Sequence, residues 1–188
     1  MEEFSRLPGI GARTAERLAF YILKASPEEA LGLSDAIRDV KTLVRSCKIC
    51  FNLTENDICD ICSDTRRDKE LICVVEQPKD LLSLEATGAY HGVYHVLMGH
   101  IAPLENTGAE DLTIDELVER VKSGQVREII MGTNPTVAGD ATALHIAEAL
   151  NSYNVPISRL ARGLPAGGSI EYASKSILAD AISERRRM

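Results

Sequence analysis

The apolar residues of this chain keep two different periods, and the change falls near residue 70. From Thr14 the spacing is helical, with Leu18, Ile22 and Ala25 on one face, until Pro27 stops it. A second helical pattern, "SDAIRDVKTLVRS", has Ser34 placed as its cap and a stripe of Ile37, Val40, Leu43 and Val44. Arg38, Lys41 and Arg45 fall on another face of that pattern and form a candidate basic surface. Beyond Glu70 the texture becomes that of strands. "LICVVE" (71–76) is a continuous apolar run, as expected of a strand covered on both faces. "GVYHVLMG" (92–99), "VREIIMGTN" (126–134) and "VPISRLARG" (155–163) read as three more. Between them lie helical patterns: one after Pro78 carrying Leu81, Leu82 and Leu84, then "TIDELVERVKS", then "GDATALHIAEALNSY". In the middle one Thr113 is placed as the cap, with Glu116 in the capping-box position. Strands alternating with helices predict an α/β fold with a largely parallel sheet. A Gly-rich turn, a short ambiguous piece and a final helix ending in Arg185, Arg186 and Arg187 close the chain.

Composition narrows the class. Hydrophobic residues make up 45% and charged residues 26% of the 188, the profile of a globular protein rather than a disordered one. No apolar run reaches the roughly 20 residues needed to span a bilayer, and no signal peptide opens the sequence. A cytoplasmic location is therefore expected. The formal net charge of −7 excludes a surface coated in cations, so any contact with nucleic acid needs a local patch. Part of the deficit is concentrated between Ala102 and Glu119, where Glu105, Glu110, Asp111, Asp115, Glu116 and Glu119 face no cation of the same stretch. That region is either a docking surface for a basic partner or a solvated loop and helix.

Four of the five cysteines occur in "CKICFNLTENDICDIC", as Cys47, Cys50, Cys59 and Cys62. A C-x2-C-x8-C-x2-C spacing lets a short hairpin bring two bent pairs together, and Asn52, Asn56 and Asp57 supply turn formers between them. Four unrelated buried thiols, an iron–sulfur cluster, a redox dithiol and a tetrahedral Zn2+ site are the readings available. A reducing compartment disfavours disulfides. The pairs do not follow a strand of a βαβ unit, as a thioredoxin-like motif would. Zn2+ fits best, and with all four ligands from protein sulfur no position is left for water, so its role is structural. The remaining Cys73 lies in the first long strand and reads as a core thiol, while His91, His95, His100 and His145 show no ligand spacing with the cysteines.

Two more constellations bear on function. "GIGARTAERL" fails the dinucleotide fingerprint, because Thr14 stands at its sixth position and no strand precedes it. What remains is a turn at Gly9 and Gly11 feeding a helix N-terminus suited to a phosphate oxygen, with Arg13 and Arg17 four apart beside it. In the α/β part, Glu76 ends the first long strand, Asp80 follows one turn on, and Asp140 comes just after the third. Carboxylates at the carboxyl edge of a parallel sheet can hold Mg2+, or can cap helices and face solvent.

Taken in order, "LPGIGARTAERLAF", the cysteine knot, "ICVVEQPKDLLSLE", "YHVLMGHIAPL" and "TNPTVAGDATA" resemble the RecR family of bacterial recombination mediators, over nearly the whole chain. The resemblance implies a helix–hairpin–helix DNA-binding and dimerising element over 1–45, a four-cysteine zinc finger over 46–68 and a Toprim domain over 69–164. It implies an oligomer-contacting turn and helix over 165–188. It makes Gly9, Gly11, Arg13 and Arg17 the DNA-contacting residues and Cys47, Cys50, Cys59 and Cys62 the zinc ligands. Glu76, Asp80 and Asp140 become the Toprim acidic residues. It further implies a non-enzymatic protein, dimer to tetramer, that clamps or encircles double-stranded and gapped DNA. Such a protein acts with RecO and RecF to help RecA replace single-strand-binding protein. Asn134-Pro135-Thr136 stands where catalytic Toprim enzymes carry a D-x-D pair, and Arg162 stands where a His is usual in this family. The alternative is a Mg2+-dependent Toprim enzyme, a nuclease or primase-like protein.

Overall fold

A computed structural model describes residues 1–185; the last two arginines of the C-terminal basic run lie outside the described residues. The chain forms two compact units, Met1–Val44 and Arg45–Met188.

The first unit is helical. Helix α1 (Glu2–Ser5) leads through a turn at Pro8 and Gly9 into α2 (Ala12–Lys24), and α3 (Pro27–Thr42) follows. Gly9 has φ of 78°, a left-handed conformation that glycine adopts without a Cβ penalty. Pro27 does more than end α2. It is the first residue of α3, whose cap is Ser26 rather than the expected Ser34. The Ser26 hydroxyl accepts from the Glu29 N–H at 3.2 Å, and the Glu29 carboxylate accepts from the Ser26 N–H at 3.0 Å. This reciprocal box starts the helix well before Ser34, because proline is preorganised for a first turn. Helix α3 also stops at Thr42, so Arg45 does not share a face with Arg38 and Lys41. Arg45 lies instead in strand β1 (Arg45–Ser46), paired antiparallel with β2 (Leu53–Thr54). Only Ala15 is buried in the whole unit.

The second unit continues through α4 (Asp60–Ser63), β3 (Asp68–Val75), α5 (Pro78–Glu85) and β4 (Gly92–Val96). After them come α6 (Ile114–Lys122), β5 (Glu128–Met131), α7 (Val137–Leu150), β6 (Ile157–Arg159) and α8 (Lys175–Ser183). Strands β3 to β6 make one parallel sheet in the order β4-β3-β5-β6. Strands β4, β5 and β6 are shorter than their apolar runs, whereas β3 starts earlier than its run, at Asp68. Side chains along β3 alternate between the two faces as the pleat requires. Ile72 and Val74 face one side with Leu117, Val121, Ile146 and Leu150 of α6 and α7. Cys73 and Val75 face the other with Leu81 of α5, Tyr94 and Val96, against which Phe51 and Ile61 of the cysteine segment pack. Cys73 is thus a core thiol, and burial pushes its pKa up to about 12.

Strand β4 is an edge of this sheet, yet it is not open. The Val96 N–H donates to the carbonyl of Cys50 at 2.8 Å, so the cysteine segment takes part of the edge that a neighbouring strand would otherwise occupy. The same edge of β4 is also tied to α6. Thr113 does not cap that helix with its side chain, as its position suggested. Its hydroxyl donates to the Val96 carbonyl at 2.8 Å, which leaves the oxygen to accept from buried His95. His95 Nε2 lies 2.7 Å from the Thr113 carbonyl, and Arg120 Nη1 donates to His95 Nδ1 at 3.2 Å. A guanidinium has no acceptor atom, so Nδ1 must be bare and the proton must sit on Nε2.

Burial, and then the charge of Arg120, hold His95 neutral, with its pKa pushed down to about 3. Below the ordinary value of 6.5 the unfolded chain takes up a proton at this residue that the folded chain refuses. Stability is therefore expected to fall as pH drops from about 6.5 towards 3. Urea unfolding at neutral and at mildly acidic pH, with metal content fixed, should show a smaller loss for His95→Gln than for the parent chain; equal losses would remove His95 as the cause.

Candidate functional site

The four cysteines converge. Their sulfurs all lie within 4.8 Å of one another, and they are the group of three or more potential metal ligands found among the described residues. Local backbone explains the convergence. The Cys47 N–H donates to the Asn52 carbonyl and Phe51 N–H to that of Cys47, closing a knuckle whose bend needs Phe51 at φ of 63°. The Lys48 N–H reaches the Asp57 carbonyl at 3.0 Å and draws the second pair across. All four are buried, with exposures of 0, 0, 3 and 5% in chain order. None is in a disulfide. The Cys50 and Cys59 sulfurs stand 3.5 Å apart, against about 2.05 Å for a bond and about 3.8 Å for neighbouring corners of a Zn–S tetrahedron. An iron–sulfur cluster spans more room than this. A redox dithiol needs an accessible sulfur, which burial denies.

The electrostatics ask for a cation. Hydrogen bonds to Cys59 and Cys62, then burial, then the charge of Cys62 keep the Cys50 proton in place. For Cys62 the bond to Cys50 pulls down, but Cys59 and burial outweigh it and raise the pKa to about 12. Four thiolates in this space would repel one another, and a dication at their centre removes that repulsion. N–H groups help: Ile49 and Cys59 donate to the Cys47 sulfur at 3.5 and 3.3 Å. The donor set suits a closed four-sulfur site.

At the other candidate place, the carboxyl edge of the sheet, the three carboxylates go to separate partners. Glu76 is 3% exposed, and accepts from the Asn134 N–H at 2.7 Å, the Asn134 amide at 2.8 Å and His100 Nδ1 at 3.2 Å. Asp80 accepts from the Gln77 N–H at 2.9 Å and so caps α5. Asp140, in the first turn of α7, is gripped by Arg162 and, at 2.5 Å, by Arg159. The bond from Arg162, and then that from Arg159, hold its carboxyl below the usual carboxylate range. The three do not form a ligand group within 4.8 Å. Thr136 caps α7 by accepting from Gly139 N–H. A Cβ on Gly139 would lie 2.1 Å from the Asn134 carbonyl oxygen and 2.8 Å from Glu76 Oε1, so the turn packs straight onto the Glu76 hub. Asn134, His100, Arg120 and Arg159 had no sequence signal beyond their presence near strand ends or on a helix; Arg162 was visible only as an unusual residue.

In the first unit Arg13 and Arg17 are exposed on α2, whose N-cap is Gly11, and no carboxylate pairs with either among the described residues. Arg38 is paired with Asp35 at 2.6 Å, and Arg45 with Asp57 at 3.6 Å. Lys41 is exposed.

A helical element, a four-sulfur knot and a parallel α/β sheet in this order define a modular three-part protein. Comparison with known proteins agrees part by part. Residues 1–41 match the RecR helix-hairpin-helix, 44–64 the four-cysteine zinc finger domain of RecR, and 70–161 the Toprim domain. Proteins named Recombination protein RecR are similar over the full length. Those of Rhodopirellula baltica and Chloroflexus aggregans are 53% and 52% identical across the whole chain, covering 94% and 92% of the relatives. That of Rubrobacter xylanophilus is 51% identical over 99% of this chain and 94% of its own. The chain belongs to the RecR family of recombination proteins.

Gly139→Ala is expected to cost about 1–3 kcal/mol, the usual range for overpacking, because backbone and not a mobile side chain lies in the way. Its unfolding midpoint in urea checks this. Gly124→Ala, at a left-handed position with nothing within 4 Å, serves as the comparison for backbone strain without a clash.

Proposed function

We propose that this protein mediates recombinational repair by assembling on DNA rather than by catalysing a reaction on it. One contrast carries the reading. The exposed cations Arg13 and Arg17 are available on α2, whereas the carboxylates at the sheet edge are each held by the protein's own donors. Phosphates meet cations at the helical hairpin, beside the turn at Gly9 and the helix start at Gly11. A Mg2+ at the sheet edge would have to displace Asn134 from Glu76 and two guanidiniums from Asp140.

The knot holds one structural Zn2+ through Cys47, Cys50, Cys59 and Cys62. When bound it ties the two cysteine pairs together and supplies no reactive water, since every position is sulfur.

A chain of net charge −7 binds DNA weakly alone, and several copies around one duplex make up for it. The first unit supports self-association: Leu23, Leu31, Ile37 and Val40 are 77, 63, 60 and 60% exposed, and apolar residues this open favour a second copy, giving a dimer to tetramer. RecO and RecF are the proposed protein partners. The outcome is RecA loaded on gapped DNA in place of single-strand-binding protein, in the cytoplasm at the nucleoid. The acidic Ala102–Glu119 stretch is the candidate for docking a basic partner surface.

Arg13→Ala combined with Arg17→Ala should weaken binding to every DNA sequence alike and lower the slope of log K against log salt by about 2. A gel-shift series over salt checks it, and an unchanged slope would move the contact elsewhere. Labelled DNA kept with the protein and Mg2+ should stay intact; nicking that Glu76→Ala abolishes would establish the Toprim enzyme instead.

A further inference from the structure

Most cations around the cysteine knot have carboxylate partners; exposed Lys69 and part-buried Arg120 have none among the described residues. Asp57 takes both Arg45, at 3.6 Å, and Lys48, at 2.6 Å. Asp64 takes Arg66, and Glu85 takes Arg67. Arg120 is part-buried on α6 and has no carboxylate within salt-bridge distance among the described residues. Its Nη1 donates to the Tyr94 carbonyl at 2.9 Å and to His95 Nδ1 at 3.2 Å, both neutral acceptors. Beside it lies a cavity of about 280 Å³ that Arg120 lines together with Cys62, Ile49, Ile72 and Val93. Burial lowers the affinity of the guanidinium for its proton, and the charges of Cys62, Cys50 and Cys47 oppose that loss.

A part-buried guanidinium without a counter-ion is costly. Four thiolates around one Zn2+ leave a net charge of about −2 in a place that is drier still. Each feature lacks what the other supplies. We propose that Arg120 is the counter-cation of the metal centre, a positioning residue that lowers the energy of the four-thiolate state and so raises metal affinity. The role rests on the zinc reading above. It is electrostatic: Arg120 and Cys62 line the same cavity, and Arg120 donates to backbone and imidazole rather than to a sulfur. It also joins α6 to the knot across β4, since the hydrogen bonds to Tyr94 and His95 aim the guanidinium.

Two substitutions separate charge from hydrogen bonding. Arg120→Lys keeps the charge and loses the planar fork. Arg120→Gln keeps an N–H donor and loses the charge. Zinc affinity would be read on the full-length protein by competition with a chromophoric chelator at neutral pH, and zinc content by elemental analysis. Arg120→Gln should bind about 10- to 100-fold more weakly, the usual effect of losing an outer partner of a metal site. Arg120→Lys should stay close to the parent, well inside that loss. Lys69→Gln, removing an exposed cation on the same cavity, should also change little. A parent chain without zinc would overturn the metal reading itself. A parent with one zinc per chain and an Arg120→Gln protein of equal affinity would overturn only this proposal. So would an equal loss in both variants, which would assign Arg120 to hydrogen bonding. Should Arg120→Gln fail to fold, Arg120→Lys decides alone: parental affinity upholds the role of charge, and a loss of about tenfold or more overturns it.

Discussion

Four sulfur atoms that cannot all be ionised together without a cation set the terms for much of the second unit. The knot they form is too small to have a core of its own, and its apolar residues Phe51 and Ile61 belong to the core on one face of the sheet. Its Cys50 carbonyl takes the Val96 N–H at the edge of β4. The cysteine knot therefore also covers part of an edge strand, and the knot and the sheet share one core face. The same dependence runs through His95, which must remain neutral for Arg120 to donate to it, and which lies edge-on to the ring of Phe51 at 5.4 Å.

The sheet's carboxyl edge is arranged the opposite way. Parallel sheets collect ligands there, because loops diverge and helix N-termini point inward. Here the divergent loops turn back upon themselves. Asn134 fills the space over Glu76 with both a main-chain and a side-chain donor, and Arg159 and Arg162 supply Asp140 with the positive charge that a metal would otherwise bring. The charge of these carboxylates is balanced by the protein's own donors.

How much of this could be read from the chain follows from the range of each interaction. The strand–helix alternation was legible because burial on both faces of β3 leaves an unbroken apolar run, and the knot was legible because its ligands repeat at fixed spacing. Caps were misread where two candidates competed. Ser34 looked apt, but Ser26 with Pro27 and Glu29 is the stronger start, and Thr113 directs its hydroxyl to Val96 across the sheet. Helical periodicity carried Arg45 past the true end of α3 into a face it does not share. The partners of Glu76, His95 and Asp140 were invisible, since Asn134, Arg120 and Arg162 join them from 58, 25 and 22 residues away.

The short reach of the cysteine knot has a kinetic meaning as well. Its outermost ligands, Cys47 and Cys62, close a loop far shorter than those the sheet must close to pair Ile72 with Ile129 or Ile129 with Ile157. Loop closure grows slowly in cost with length, but pairings distant in sequence are what slow the formation of parallel sheets. The cysteine knuckle is the more local closure and the sheet pairings the less local, so the carbonyl that the knuckle presents to β4 belongs to a segment that needs little chain to close.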